Sequence, residues 1–375
     1  MNFAKPLHMK RIWQFVIFIF LSSLQPELSL KSPASDCRNP VNHNLFIITT
    51  DGFRWQELFT GADSLLINNE GYTPDQETIK SLYWAPTAIE RRKKLMPFIW
   101  NVIAAKGQLY GNRLIGNKFN VANTYAKSYP GYSEMLCGFT DPLIASNKKQ
   151  ENLHTNILEY LNQLSAFHGK VVAFTSWDVF PYILNEERSG LAVNSGYEAI
   201  ENPVSRPEFV VNQVQQYVNS KHAGTRMDAL TFLAAREYIN VHRPRVVLLA
   251  LGETDEFAHE KRYDLYLQQA AKVDAMLAEL WHWVQTTEGY ANNTTFLITT
   301  DHGRGNKAGK WTSHSEWISG SSSAWLALLG PGIPATGEVK ENQQQYLEQL
   351  ARTISSLLGE EFSNRESAPA ISLVD

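Results

Sequence analysis

Short, almost wholly apolar runs recur along the chain, separated by longer stretches in which apolar positions follow a helical spacing. The runs are Leu45 to Thr50, Lys170 to Thr175, Arg245 to Leu251, Thr295 to Thr300 and Ala324 to Leu329. Runs of that length with little polar alternation are expected of strands covered on both faces. Among the intervening stretches, Asp264 to Val284 places Leu265, Ala270, Val273, Met276, Leu277 and Leu280 on one helical face. This alternation predicts an α/β fold with a mainly parallel central sheet and helices on both faces. The polar segments 61–94 and 185–219 are expected to be irregular, cap-like insertions at the sheet edge. No repeat or low-complexity linker interrupts the rest, so residues 40–375 are expected to form one domain.

Composition adds limits. With 43% hydrophobic and 19% charged residues the chain can bury a large core, and a net charge of −4 gives no basic field for nucleic acid. The run Arg91-Arg92-Lys93-Lys94 is read as a solvated helix face. At the start, Met9-Lys10-Arg11 precedes the apolar stretch Ile12 to Leu21, and small residues follow at Ser32 to Ser35. Residues 1–35 are therefore expected to be a signal peptide that exports the protein to the periplasm or outside the cell. No membrane span is expected after cleavage; an uncleaved leader acting as an anchor is the alternative. Of the two cysteines, Cys37 and Cys137, the second stands in an apolar helical segment and is expected to be a buried thiol.

Three of the apolar runs lead into potential metal ligands. The first ends in Asp51, the run to Leu251 leads to Asp255 and His259, and the run to Thr300 ends in Asp301-His302, with His314 in the next loop. In open α/β sheets ligands bind at the carboxyl ends of the strands, and charged groups there need compensation. Asp255 and His259, four apart, fall on one helical face and could share an ion with His314. Asp51, Asp301 and His302 form a second group. Mixed Asp/His donors suit zinc first and manganese second, and two such ions can clamp a phosphoryl group. Taken singly each motif has a plain structural reading, Asp51-Gly52 as a turn above all; their joint order carries the inference.

A nucleophile is suggested by Ser128, in Lys127-Ser128-Tyr129-Pro130-Gly131, followed by Gly138. Pro in the first turn and Gly past the end predict a helix with Ser128 at its N-cap, which would also turn backbone N–H groups toward a phosphate on that serine. Asn123, Lys127 and Arg304 lie beside these residues and are candidates to bind the phosphoryl oxygens, with Lys118 a further one. Trp177 to Phe180, with Asn185, Arg188, Asn194 and Tyr197, and the loop from Trp311 to Trp317, are candidate walls of the pocket.

In the order Asp51, Ser128, Asp255 with His259, Asp301 with His302, then His314, the chain resembles the alkaline phosphatase superfamily, which includes nucleotide pyrophosphatases, arylsulfatases and cofactor-independent phosphoglycerate mutases. The resemblance runs from about Asn44 to Gly332 and implies a three-layer alkaline-phosphatase-like fold. It implies two divalent metal ions, one on Asp255, His259 and His314, the other on Asp51, Ser128, Asp301 and His302. The implied activity is hydrolysis of a small-molecule phosphate ester through a phosphoserine on Ser128, with monoesters slightly preferred and a phosphodiesterase or nucleotide pyrophosphatase the alternative. Tyr132 stands where the formylglycine sulfatase signature has arginine, which disfavours a sulfatase. The short stretch between Ser128 and Asp255 disfavours a mutase, and a metal-binding protein without catalysis is the remaining alternative.

Overall fold

A computed structural model describes residues 43–218, 222, 224–362, 364 and 366–374; the expected leader over residues 1–35 lies outside the described residues. The strands are β1 (Asn44–Thr50), β2 (Gly107–Tyr110), β3 (Lys118–Asn120), β4 (Val171–Thr175), β5 (Ala192–Ser195), β6 (Val246–Leu251), β7 (Thr294–Thr300), β8 (Ser323–Ala324), β9 (Leu326–Leu329), β10 (Gly337–Glu338) and β11 (Gln344–Tyr346). Among the described residues, eight make one sheet in the order β10-β2-β9-β7-β1-β6-β4-β5, and β11-β3-β8 make a second.

At the centre β1 pairs in parallel with both β6 and β7, Thr50 lying opposite Leu251 on one side and Thr300 on the other. Three consecutive strands thus finish level, and whatever residue follows each of them arrives at one edge. The pairings of β9 with β2 and β7 are antiparallel, so the sheet is mainly, not wholly, parallel.

Alternate residues of the same strands enter two separate cores. Phe46, Ile48, Val247, Leu249 and Phe296 pack with Leu267, Val273 and Leu277 of the helix Tyr263–Thr286. Leu45, Ile47, Leu248 and Leu297 pack instead with Met135 and Leu136 of the helix Ser128–Cys137 and Ile354 of the helix Leu350–Leu357. The period-2 pleat forces this division, and both faces are covered by helices.

Several expectations change. Residues 61–94 hold three helices, Ser64–Ile67, Gln76–Tyr83 and Ala88–Leu95, because Asp63, Asp75 and Thr87 cap them and Leu66, Ile67, Ile79 and Leu95 reach the core. The 185–219 segment carries β5, the edge strand beside β4, and the helix Arg206–Tyr217. Arg91 and Arg92 are not simply solvated: their guanidinium groups lie over Trp84 and Trp100 at 4.6 and 3.5 Å. The run Ala324 to Leu329 is two strands, split at buried Trp325, whose indole N–H donates to the Phe53 carbonyl at 2.8 Å. Cys137 is a buried free thiol, as expected.

Candidate functional site

Asp51 directly follows β1 and Asp301-His302 directly follow β7, so register alone brings them together. His302 Nε2 lies 3.3 Å from Asp51 Oδ1 and 3.5 Å from Asp301 Oδ2. Gly52 has φ +57°, and a Cβ there would stand 2.6 Å from Asp255 Oδ1 and 3.1 Å from His302 Cε1. The turn at Asp51-Gly52 is therefore also a clearance that the converging side chains require.

Ser128 is brought to this group from the other face of the sheet. The backbone of Lys127 is extended and takes the N-cap position, which makes Ser128 the first helical residue rather than the cap. Its Oγ lies 3.3 Å from His302 Nε2 and 3.4 Å from Asp51 Oδ1. Gly131, one turn on, lets the helix close in: a Cβ there would meet the Asp301 carbonyl at 2.3 Å.

The short helix Glu253–His259 starts one residue after β6 and carries Asp255 and His259. It has no capping side chain of its own. Instead Asp228, the first residue of the helix Asp228–His242, accepts from the Gly252 and Glu253 N–H groups at 2.7 and 3.1 Å. Glu253 reciprocates by accepting the Asp228 N–H at 2.8 Å. Each helix start is thereby closed by the other's carboxylate. Asp255 Oδ2 lies 3.0 Å from His259 Nε2, which is 3.2 Å from His314 Nε2, itself 3.7 Å from Asp255 Oδ1.

The two groups touch through stacked His302 and His314 rings, 3.9 Å apart and 12° from parallel. Donor atoms of Asp51, Asp301 and His302 lie within 4.8 Å of one another, as do those of Asp255, His302 and His314. His302 is thus within reach of both groups, whereas the sequence placed it in one.

The chemistry of these donors fits divalent cations. Asp301 is fully buried; its Oδ1 accepts the Gly52 N–H at 3.0 Å, but its Oδ2 has no hydrogen-bond partner. Burial, and then the Asp51 charge, push the Asp301 carboxyl up to about 7. Burial would depress the His302 imidazole, but Asp301 and Asp51 outweigh it and push it up to about 9, so a proton here does what a metal ion could do instead. His314 donates from Nδ1 to the Ala126 carbonyl at 2.9 Å, leaving Nε2 as the lone pair that faces Asp255. Burial, followed by the nearby His302 and Arg304 charges, holds that ring well below its usual value and therefore neutral.

The expected phosphoryl-binding residues are engaged elsewhere. Asn123 accepts the Tyr125 and Ala126 N–H groups at 3.0 and 2.9 Å and donates to Glu134 at 2.8 Å. Lys127 Nζ donates to the Ala145 carbonyl at 3.3 Å and lies 3.7 Å from Glu316. Arg304 is buried, with donors directed at Asp255 and at the carbonyls of Trp311 and Thr312. Lys118 is exposed on β3. Asn147, unremarkable in sequence, accepts the Tyr129 N–H at 3.0 Å beside Ser128.

Of the expected walls, Asn185, Arg188 and Asn194 bind backbone carbonyls. Asp178 and Tyr197, which follow β4 and β5 at the same sheet edge, line a cavity of about 540 Å³ with Lys149, Glu151, Tyr182 and Glu186. Trp311 is buried among Tyr72, Tyr263 and Tyr266, and Trp317 is exposed. No helix among the described residues is long and apolar enough to cross a membrane.

Comparison with known proteins agrees with this architecture. The family model described as type I phosphodiesterase / nucleotide pyrophosphatase matches residues 108–363, more than half of the chain, beginning after β1 and Asp51. No curated protein matches in sequence. Among solved structures, a phosphonate monoester hydrolase from Silicibacter pomeroyi superposes with TM-score 0.54 at 13% identity, over 88% of this chain and 76% of that one. Alkaline phosphatase PafA superposes with TM-score 0.56 at 11% identity, over 88% and 98%. A lipoteichoic acid synthase, LtaP, from Listeria monocytogenes gives 0.53 at 11% identity, over 86% and 74%. At such identities the likeness is one of fold.

Proposed function

This chain belongs to the type I phosphodiesterase / nucleotide pyrophosphatase family, within the alkaline phosphatase superfamily of metal-dependent ester hydrolases, and we propose that it cleaves phosphodiesters through a covalent phosphoserine on Ser128. The observation that carries the reading is the placement of Ser128 Oγ within 3.4 Å of both Asp51 and His302 at the start of a ten-residue helix. Asp255, His259 and His314 would hold one divalent ion, and Asp51, Ser128, Asp301 and His302 the other, zinc by the donor set. Ions bound there would polarise the ester and lower the pKa of the serine hydroxyl.

The chain's own groups supply the rest. Ser128 loses its proton to solvent and attacks phosphorus in line; the Oγ–P bond forms, the P–O bond to the first leaving group breaks, and the departing oxygen takes up a proton. The other ester substituent stays on the phosphorus; water then attacks this seryl phosphodiester, the Oγ–P bond breaks, Ser128 recovers its proton and a phosphate monoester departs. The positive end of the Ser128–Cys137 helix faces the developing negative charge.

The leaning toward monoesters gives way to diesters because of where the cations stand. A monoester brings a second negative charge, and Lys127, Arg304 and Lys118 are respectively paired, buried in other bonds, and exposed on β3. The cavity of about 540 Å³ at the same sheet edge is lined by Glu151, Asp178, Glu186, Glu187 and Glu198 against one cation, Lys149, which is paired with Asp178, a balance that disfavours a second phosphate charge on this side. The expected leader supports export to the periplasm or beyond.

The deciding measurement is kcat/KM for an aryl phosphodiester against the matching monoester on zinc-loaded protein, with acid-quenched trapping of the labelled intermediate. A diester ratio above one with label on Ser128 is expected. A ratio favouring the monoester would overturn the diester reading, and turnover retained in Ser128→Ala would overturn the covalent step.

A further inference from the structure

Arg304 follows Asp301-His302-Gly303 and is only 1% exposed. Three of its nitrogens are directed at two separate pieces of chain, the Trp311-Thr312 segment and the helix that carries Asp255. Nε donates to the Trp311 carbonyl at 2.9 Å, Nη2 to the Thr312 carbonyl at 2.6 Å, and Nη1 to Asp255 Oδ1. Nη2 also lies 3.4 Å from His259 Nδ1. A guanidinium is planar, with donors fixed in direction, so three acceptors met at once are fixed relative to one another; an ammonium could not do this.

Those acceptors bracket one candidate ion site. Asp255 and His259 belong to it directly. Thr312 lies two residues before His314, and Trp311 is anchored by edge contacts to Tyr72, Tyr263 and Tyr266 at 5.2–5.6 Å. From the opposite side His314 is held by the Ala126 carbonyl at 2.9 Å. The donors directed at Asp255 and at the Trp311 and Thr312 carbonyls are thus committed within the protein.

We propose that Arg304 is a positioning residue for the Asp255/His259/His314 metal site, locking Asp255 and the His314 loop into one frame, and that it does not bind substrate. This rests on the two-ion reading above. It also explains how Asp255 stays compensated before an ion arrives: the guanidinium already faces its Oδ1, while Oδ2 is turned to His259.

The test is a metal titration of chelator-stripped protein with Co²⁺, read by visible absorbance and by ions bound per chain, on the parent protein, Arg304→Lys and Arg304→Met. Parent protein should bind two ions. The variants should bind one of them roughly 10–100-fold more weakly, the usual cost of losing a residue that orients a ligand, with the other unchanged. At saturating metal kcat should largely recover, and KM for the ester should match the parent. A raised KM with both metal affinities intact would make Arg304 a substrate residue and overturn the proposal. Equal weakening of both sites, or failure of both variants to fold, would make it a general core residue and overturn it as well. Parent protein that binds no ion would sink the metal reading itself, whereas two ions bound alike in parent and variants would sink only this inference.

Discussion

The carbonyl of Ala126 accepts the Nδ1–H of His314 at 2.9 Å, and Ala126 presents it from a left-handed backbone conformation, φ 45°. Such a conformation is costly for alanine, roughly 1 kcal/mol or more, and persists only where the surroundings hold it. Here Asn123 does so, its Oδ1 accepting the Ala126 N–H and its Nδ2 bound to Glu134. A chain of three contacts thus runs from a buried carboxylate to the tautomer of a candidate metal ligand.

Asn123→Ala should release Ala126 from that conformation. The expected loss is about 1–3 kcal/mol of stability from the unsatisfied N–H groups, together with weaker binding of the ion at His314. Chemical denaturation and metal titration on the same preparation check both; unchanged metal affinity would disconnect Asn123 from the site.

Removing metal should abolish turnover and lower the melting temperature, because the buried Oδ2 of Asp301 has no hydrogen-bond partner and only the His302 imidazole, 3.5 Å away, would then offset it beside Asp51. An ion at a thousand times its dissociation constant contributes about 4 kcal/mol to the folded state. Asp301→Asn should reverse the sign: the metal-free variant should melt higher than metal-free parent, yet gain less from added zinc. Melting curves with chelator and with zinc decide it.

Asp228 is not a candidate ligand but completes the start of the helix that carries Asp255. Asp228→Ala leaves the Gly252 and Glu253 N–H groups and the Gln269 amide without their acceptor, costing about 3 kcal/mol. Turnover should become dependent on a higher metal concentration before the fold itself is lost, which activity measured across a zinc series would show.

Burial pushes the Glu134 carboxyl up to about 7, against the pull of the Ala122 and Asn123 N–H groups. A carboxyl raised in the folded state favours folding below its unfolded value near 4.5 and loses that advantage as pH rises through 7. Over that window Glu134 should remove roughly 3 kcal/mol of stability. In Glu134→Gln this part of the slope should vanish, measured by urea denaturation in chelator between pH 4.5 and 7.5.

Four strands were legible because β1, β4, β6 and β7 are buried on both faces and so read as unbroken apolar runs. Strands β2, β3, β5, β10 and β11 were not; they have two to four residues, and polar ones such as Gln344-Gln345 owe their conformation to a neighbouring strand rather than to a pattern. The convergence of Asp51, Asp255 and Asp301 was legible because each follows a central strand directly or within a short turn. Side-chain direction was another matter. Asn123, Lys127 and Arg304 stand beside site residues in sequence, but adjacency along the chain does not fix where a donor points, and in each case a carbonyl or carboxylate on another segment claims it. Asp228 and Asn147 were invisible for the same reason, since their partners lie on other segments.

The thiol of Cys137 closes the helix that begins at Ser128, lies almost wholly out of solvent, and is pushed up to about 12 by burial. Neither access nor ionisation favours attack on it while the helix is seated. In protein without the leader, its rate of alkylation therefore serves as a clock for the unseating of the nucleophile's helix, readable by mass spectrometry without any engineered label. Whether bound metal slows that clock would tell how tightly chemistry at one end of ten residues is tied to the core at the other.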